Sequence, residues 1–198
     1  VNTQTHILLA SALFTKRALP ITNMAIFLGA FLPDLPLYML FAGARILGYS
    51  DNDVFGDFYW REPMRNIMGA SHSFVVAGVI ALAGYWYRER LWGKPAMFFA
   101  AAMALHAATD LPVHVDDGHR HFWPLSRYVF NSPVSYWDPA HYGNYIAPFE
   151  AILGIISAIV VMRRFRAMWI KVLCGLAIAA YVTVPAYFLW VFATSGGA

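Results

Sequence analysis

Asp34 stands between Pro33 and Pro36 in the middle of an otherwise apolar run from Ile21 to Leu47. That run is long enough to cross a bilayer, which takes about 20 residues. The two prolines, however, must break or kink any helix that carries it. A carboxylate at such a depth costs about 2.5–3.5 kcal/mol on insertion scales, and a cation or a partner has to offset that cost. The rest of the chain must therefore bring something to Asp34.

The other segments are built to stay in lipid. Hydrophobic residues make up 60% of the 198 and charged residues only 13%, with a mean hydropathy of +0.52, which excludes an ordinary soluble globule. The expected fold is an all-α integral membrane protein, a single domain over residues 1–198 formed by a bundle of about six helices. His6 to Leu19 is short for a span and is expected to be recessed; Ile21 to Leu47 kinks at Asp34; Tyr49 to Gly69 is a polar interlude with Phe58, Tyr59 and Trp60 at headgroup level. The third span starts at Ser71-His72-Ser73, with Ser71 as N-cap, and ends near Tyr87. The fourth covers Pro95 to Leu111, the fifth Ile146 to Met162, and the sixth Met168 to Phe192 with a kink at Pro185. Val115 to Asn144 forms a long aromatic loop suited to the membrane interface. The opening residues carry no basic start followed by a small-residue cleavage site. Cys174 is the single cysteine, so no disulfide framework exists, and the net charge of +3 gathers into no nucleic-acid-binding face.

Charge and ligand chemistry separate along the chain. The turns after the first, third and fifth spans hold Lys16, Arg17, Arg88, Arg90, Lys94, Arg163, Arg164, Arg166 and Lys171 against the lone acid Glu89. The positive-inside rule makes that side cytoplasmic. Both termini and the site then lie on the extracytoplasmic side of a multi-pass protein of the bacterial inner membrane. The residues that can hold a metal, His6, Asp34, His72, His106, Asp110 and His114, all map to that outer side. A weak echo supports the grouping: Thr5-His6 and Asp34-Leu35-Pro36 in the first hairpin match Ser71-His72 and Asp110-Leu111-Pro112 in the second, as parallel repeats would.

The densest stretch is His106 to Ser126. His106 and Asp110 are four residues apart and share a helix face, as ligands of one ion would. Pro112 ends the helix, and His114, Asp116, Asp117, His119 and His121 follow on a loop. Imidazoles mixed with carboxylates suit zinc or another divalent transition metal better than calcium. His72, read as lying at a helix N-terminus, would be kept neutral by the dipole. Taken singly, His72, His114, His119 and His121 are equally well hydrogen-bonded polar groups where a helix meets water, whereas Asp34 between its prolines is the hardest to explain that way, and the roles of His119, His121 and His141 stay open.

On these residues the chain resembles the YdjM-like family of bacterial inner-membrane metal-dependent hydrolases. The likeness rests on Thr5-His6 before an apolar run, GAFLPDLP at 29–36, GASHSF at 69–74, His106 and Asp110 four apart, and WPLS at 123–126, and covers roughly residues 3–126. Asp34 is followed by Leu-Pro where that family often has another acidic residue. The resemblance implies a divalent-metal site and hydrolase activity. A more distant similarity, to zinc-dependent phospholipase C, lacks a counterpart for the later H-x-x-x-E; the nearest pair, His141 and Glu150, are nine apart.

The function expected from these readings is hydrolysis of a phospholipid or lipid-linked phosphate, at a phosphoester or acyl bond, by a metal-bound hydroxide. Glu150, Asp116 or Asp117 would serve as general acid or base, and Arg120, with Arg127, would hold a phosphate. Two other classes compete: a non-catalytic metal-binding membrane protein for transport or sensing, and a structural or assembly factor docking through residues 122–145. The apolar inner halves of the spans, such as Val75 to Ala83, speak against a conduction path.

Overall fold

Pro33 has no N–H to give back to Gly29, and the helix carrying Asp34 breaks there, as its sequence demands. The computed structural model describes residues 1–194, with side chains to residue 187 and at Trp190. Among these the chain is all α-helical: α1 (Thr3–Phe14), α2 (Pro20–Phe31), α3 (Leu35–Ile46), α4 (Asp51–Gly56), α5 (Glu62–Ser71), α6 (Phe74–Trp86), α7 (Gly93–Asp110), α8 (Gly143–Arg164) and α9 (Met168–Thr194). Among the described residues nine α-helices replace the expected six, because the run at Asp34 splits in two and the polar interlude 49–69 contains α4 and most of α5.

Three stretches, Gly93–Val113, Gly143–Arg164 and Met168–Tyr187, are long and apolar enough to cross a membrane. The bent pairs α2 with α3, at 60°, and α5 with α6, at 44°, raise the number to five if each is one broken span. Large apolar side chains such as Leu13, Val79, Leu82, Ile152 and Leu176 stay exposed around the outside, as a lipid-facing coat requires.

Inside, small residues allow close helix packing. Ala10, Ile26, Ala30 and Ala102 join α1, α2 and α7; Leu8, Ala158, Val161, Cys174 and Tyr181 join α1, α8 and α9. Gly29 lets α2 lie directly on α7, since a Cβ there would strike the Phe99 carbonyl. At Gly154 on α8 the ring of Tyr181 fills the space a side chain would need.

At twelve residues, α1 is only about 18 Å long, and α8 holds it at both ends. Glu150 Oε1 accepts from the Asn2 backbone at 2.7 Å, Asn2 Nδ2 at 2.9 Å and Thr5 Oγ1 at 2.7 Å. Fourteen residues further along α8, the Arg164 guanidinium donates to the carbonyls of Ser11, Ala12 and Thr15 at 2.8–3.0 Å. The acid meets the positive end of the α1 dipole and the base its negative end, so α1 and α8 run parallel. Arg17 in turn donates to the carbonyls of Arg163 and Arg164. The basic turns after α1 and α8 thus meet at one end of the bundle, and the histidines and aspartates gather at the other.

Candidate metal centre

Two helix breaks and the end of a third segment meet at that second end. Asp34 sits at the α2/α3 break, His72 between α5 and α6, and His106 and Asp110 in the last turn of α7. His106 Nε2 lies 3.1 Å from Asp110 Oδ2 and 3.4 Å from Asp34 Oδ1; His72 Nε2 lies 3.7 Å and 3.6 Å from the same two oxygens. One ligand atom from each of these four residues falls within 4.8 Å of every other. The spacing is that of donors around one ion.

The helix breaks also orient the imidazoles. Ala30, deprived of its helical partner because the Asp34 N–H turns to Phe31, offers its carbonyl to His106 Nδ1 at 2.8 Å. Met68, at the end of α5, accepts from His72 Nδ1 at 2.9 Å. Backbone carbonyls accept only, so Nδ1 carries a proton in both rings, and Nε2 is the nitrogen turned toward the two carboxylates. Those Nε2 atoms, and that of His6, are buried without a hydrogen-bond partner. Such orphaned atoms are costly unless something completes them, and two carboxylates with two imidazoles form a donor set that fits zinc or a similar divalent ion.

The location of His72 corrects the expectation from sequence. It is the C-cap of α5, with its N–H on the Met68 carbonyl, and Ser73, not Ser71, caps α6 through the N–H groups of Val75 and Val76. The Met68 carbonyl, rather than a helix N-terminus, holds the ring in its ligating tautomer. Ser71 Oγ bonds to the carbonyls of Pro33 and Met68, tying the Asp34 break to the His72 break.

A second group adjoins the first. Asp110 Oδ1 lies 3.0 Å from His6 Nε2, 3.5 Å from His114 Nε2 and 2.8 Å from the Val1 nitrogen. His6 stacks on His106 with centroids 3.5 Å apart, and its Nδ1 donates to Thr109 Oγ1, which is itself bound to the Leu105 and His106 carbonyls. His114 Nδ1 faces Asp117 Oδ1 at 3.0 Å. Burial opposes charge on His114, but hydrogen bonds to Asp110 and Asp117 outweigh it and lift its pKa to about 9. His119, stacked on His72 at 3.8 Å, is driven the other way: burial, then the charges of His72 and His114, push it well below the ordinary imidazole value.

Of the other residues named from sequence, His121 is a strut, its Nδ1 on the His72 carbonyl and its own carbonyl on the Phe74 N–H. Arg120 is occupied by Glu62, at 2.7 and 2.9 Å, and by Asn66 at 2.8 Å. Glu150 Oε1 is taken by the start of α1, and His141 pairs with Asp138 away from the cluster. Asp116 and Asp117 do reach the site. They line a cavity of about 470 Å³ over Asp34, Asp110, His114 and His119, ringed by Tyr38, Tyr59, Trp60, Tyr136 and Trp137. Burial, then nearby carboxylates, push the Tyr59 and Tyr136 phenols above their ordinary value, so both remain neutral. This aromatic ring and Thr109 went unrecognised in sequence; only the adjacency of Thr109 to Asp110 hinted at the latter.

No curated protein and no solved structure matches the chain. The model of the YdjM inner membrane protein family matches residues 1–195, so the chain belongs to that family.

Proposed function

We propose that the protein is a metal-dependent hydrolase that acts on a phospholipid or lipid-linked phosphate at the outer face of the inner membrane. The observation that carries this reading is the set of buried, partnerless Nε2 atoms of His72 and His106, converging with Asp34 and Asp110 beneath a cavity with an aromatic rim. Asp34, His72, His106 and Asp110 would hold the ion, zinc by donor chemistry. A divalent cation bound there supplies Lewis acidity toward water and toward a phosphoryl or acyl oxygen. The chain's own residues do the rest. Asp116, exposed on the cavity wall, is placed to accept and return a proton; Asp117 faces His114; Tyr59 and Tyr136 offer neutral walls to a headgroup. Glu150, with Oε1 held by α1, anchors that helix.

The membrane supports a lipid substrate. Glu150 is seven residues into α8, so α1 begins about 10 Å below the top of that helix, and the cluster beside it is recessed toward the depth of the acyl chains. With the basic turns in the cytoplasm, the cavity opens outward. The test is turnover by purified protein in mixed micelles on phospholipids, lipid phosphates and acylated lipids, with and without chelator. Chelator-sensitive release of phosphate, headgroup or fatty acid is the expected result, and hydrolysis indifferent to chelator would remove the metal from the reaction.

A further inference from the structure

We propose a second metal site next to the first, formed by Asp110, His114 and His119, with Asp110 as the carboxylate bridge between the two; this rests on the metal-centre reading above. The two oxygens of Asp110 have separate surroundings. Oδ2 faces His106 and His72, at 3.1 and 3.7 Å, while Oδ1 faces the Val1 nitrogen at 2.8 Å, His6 at 3.0 Å and His114 at 3.5 Å. Ligand atoms of Asp110, His114 and His119 lie mutually within 4.8 Å, in a group sharing only Asp110 with the first. All three are buried, and His119 and His114 form part of the cavity floor.

The details favour a cation over a hydrogen-bond network. Asp117 Oδ1 stands 3.0 Å from His114 Nδ1, and both atoms are buried without a hydrogen bond; a carboxylate on this side of the ring is where a partner would orient the opposite nitrogen toward a metal. Asp110 is buried and gathers three imidazoles: His6, His106 and His114 all direct Nε2 at it within 3.5 Å, and the Nε2 atoms of His6 and His106 have no hydrogen bond. No lysine or arginine lines the cavity. A phosphate entering it would meet the carboxylates of Asp34, Asp110, Asp116 and Asp117, and a pair of cations sharing Asp110 would supply the positive charge it needs.

The experiment uses the full chain in detergent, stripped with chelator and titrated with Zn²⁺ or Mn²⁺. Metal content after desalting should saturate at about two ions per chain, and the Mn²⁺ form should give the multiline electron paramagnetic resonance spectrum of a coupled pair. His119→Ala and the more conservative His119→Asn should each drop to about one ion and an uncoupled Mn²⁺ spectrum. Circular dichroism and gel filtration matching wild type would show both variants folded. Asp110→Asn should lose the coupling and most of the metal. Saturation of wild type at a single ion, or folded His119 variants that keep both, would overturn the second site and leave the first intact. Failure of wild type to bind any ion would overturn both readings.

Discussion

His106 Nδ1 donates to the carbonyl of Ala30 at 2.8 Å, joining α7 to α2 one helical turn before each helix reaches its aspartate. Ala30 precedes Asp34 by four residues and His106 precedes Asp110 by four, so this bond sets the spacing of the two carboxylates. The approach depends on the neighbouring Gly29, whose missing side chain admits the Phe99 carbonyl. Gly29→Ala should therefore destabilise the protein by about 1–3 kcal/mol, as overpacking does, and loosen metal binding with it. A lower melting temperature in detergent and a weaker zinc affinity are the expected readings; an unchanged melt would show that α2 and α7 have slack.

Ser71 links the two broken helices, with Oγ on the carbonyls of Pro33 and Met68. Removing that tie leaves every proposed ligand in place while freeing Asp34 and His72 to drift apart. Ser71→Ala should weaken zinc binding roughly tenfold, the lower end for a residue that orients ligands. Competition with a chromogenic chelator measures it.

Asp116 and Glu150 separate catalysis from architecture. Asp116 is exposed on the cavity wall, so Asp116→Asn should lower kcat by about 10²–10⁴ at unchanged metal content. Glu150→Ala removes the acceptor of the Asn2 backbone N–H and of the buried Thr5 hydroxyl and should cost about 1–3 kcal/mol of stability, with Glu150→Gln milder. Full activity in folded Asp116→Asn would move the proton-transfer role elsewhere.

The Arg120–Glu62 pair responds to acid. Hydrogen bonding to the Arg120 guanidinium holds the Glu62 carboxyl below its ordinary value of 4.5. A depressed carboxyl contributes its stability in full above the unfolded value and loses it as pH falls through the folded one. The melting-temperature difference between wild type and Glu62→Gln should be constant above pH 4.5, shrink as the pH falls further and vanish below the depressed folded value. A difference that persists in acid would assign the effect to packing.

Orientation can be read with cysteines. In a Cys174→Ser background, Asn131→Cys should react with a membrane-impermeant maleimide added outside spheroplasts, and Arg90→Cys only after lysis. The reverse pattern would place the histidine cluster in the cytoplasm.

Periodicity and charge made the helical membrane fold legible, and the segregation of basic turns from histidines foretold the two ends of the bundle. His106 and Asp110 could be paired because four residues on one helix fix their relation. Their meeting with Asp34 and His72 followed from the cost of burying a carboxylate in lipid, which says that a partner must come without saying which. What could not be read was the set of interactions made by backbone carbonyls, since any residue supplies one. The tautomer-fixing contacts of Ala30 and Met68 are invisible in residue types, and so His72 was assigned to the wrong helix end. Arg120 and Glu150 misled for a related reason: a charged side chain near a ligand motif looks alike whether it faces the cavity or a structural partner.

The shortness of α1, clamped between Glu150 and Arg164, has a kinetic consequence. On the proposed lipid-hydrolase reading, a site beside a helix of only about 18 Å would draw its reactant from the leaflet, where encounter is a search in two dimensions. Its rate should then follow the mole fraction of reactive lipid in the surface rather than molarity in the tube, and diluting that lipid with inert neighbours should slow turnover even when the total amount is unchanged.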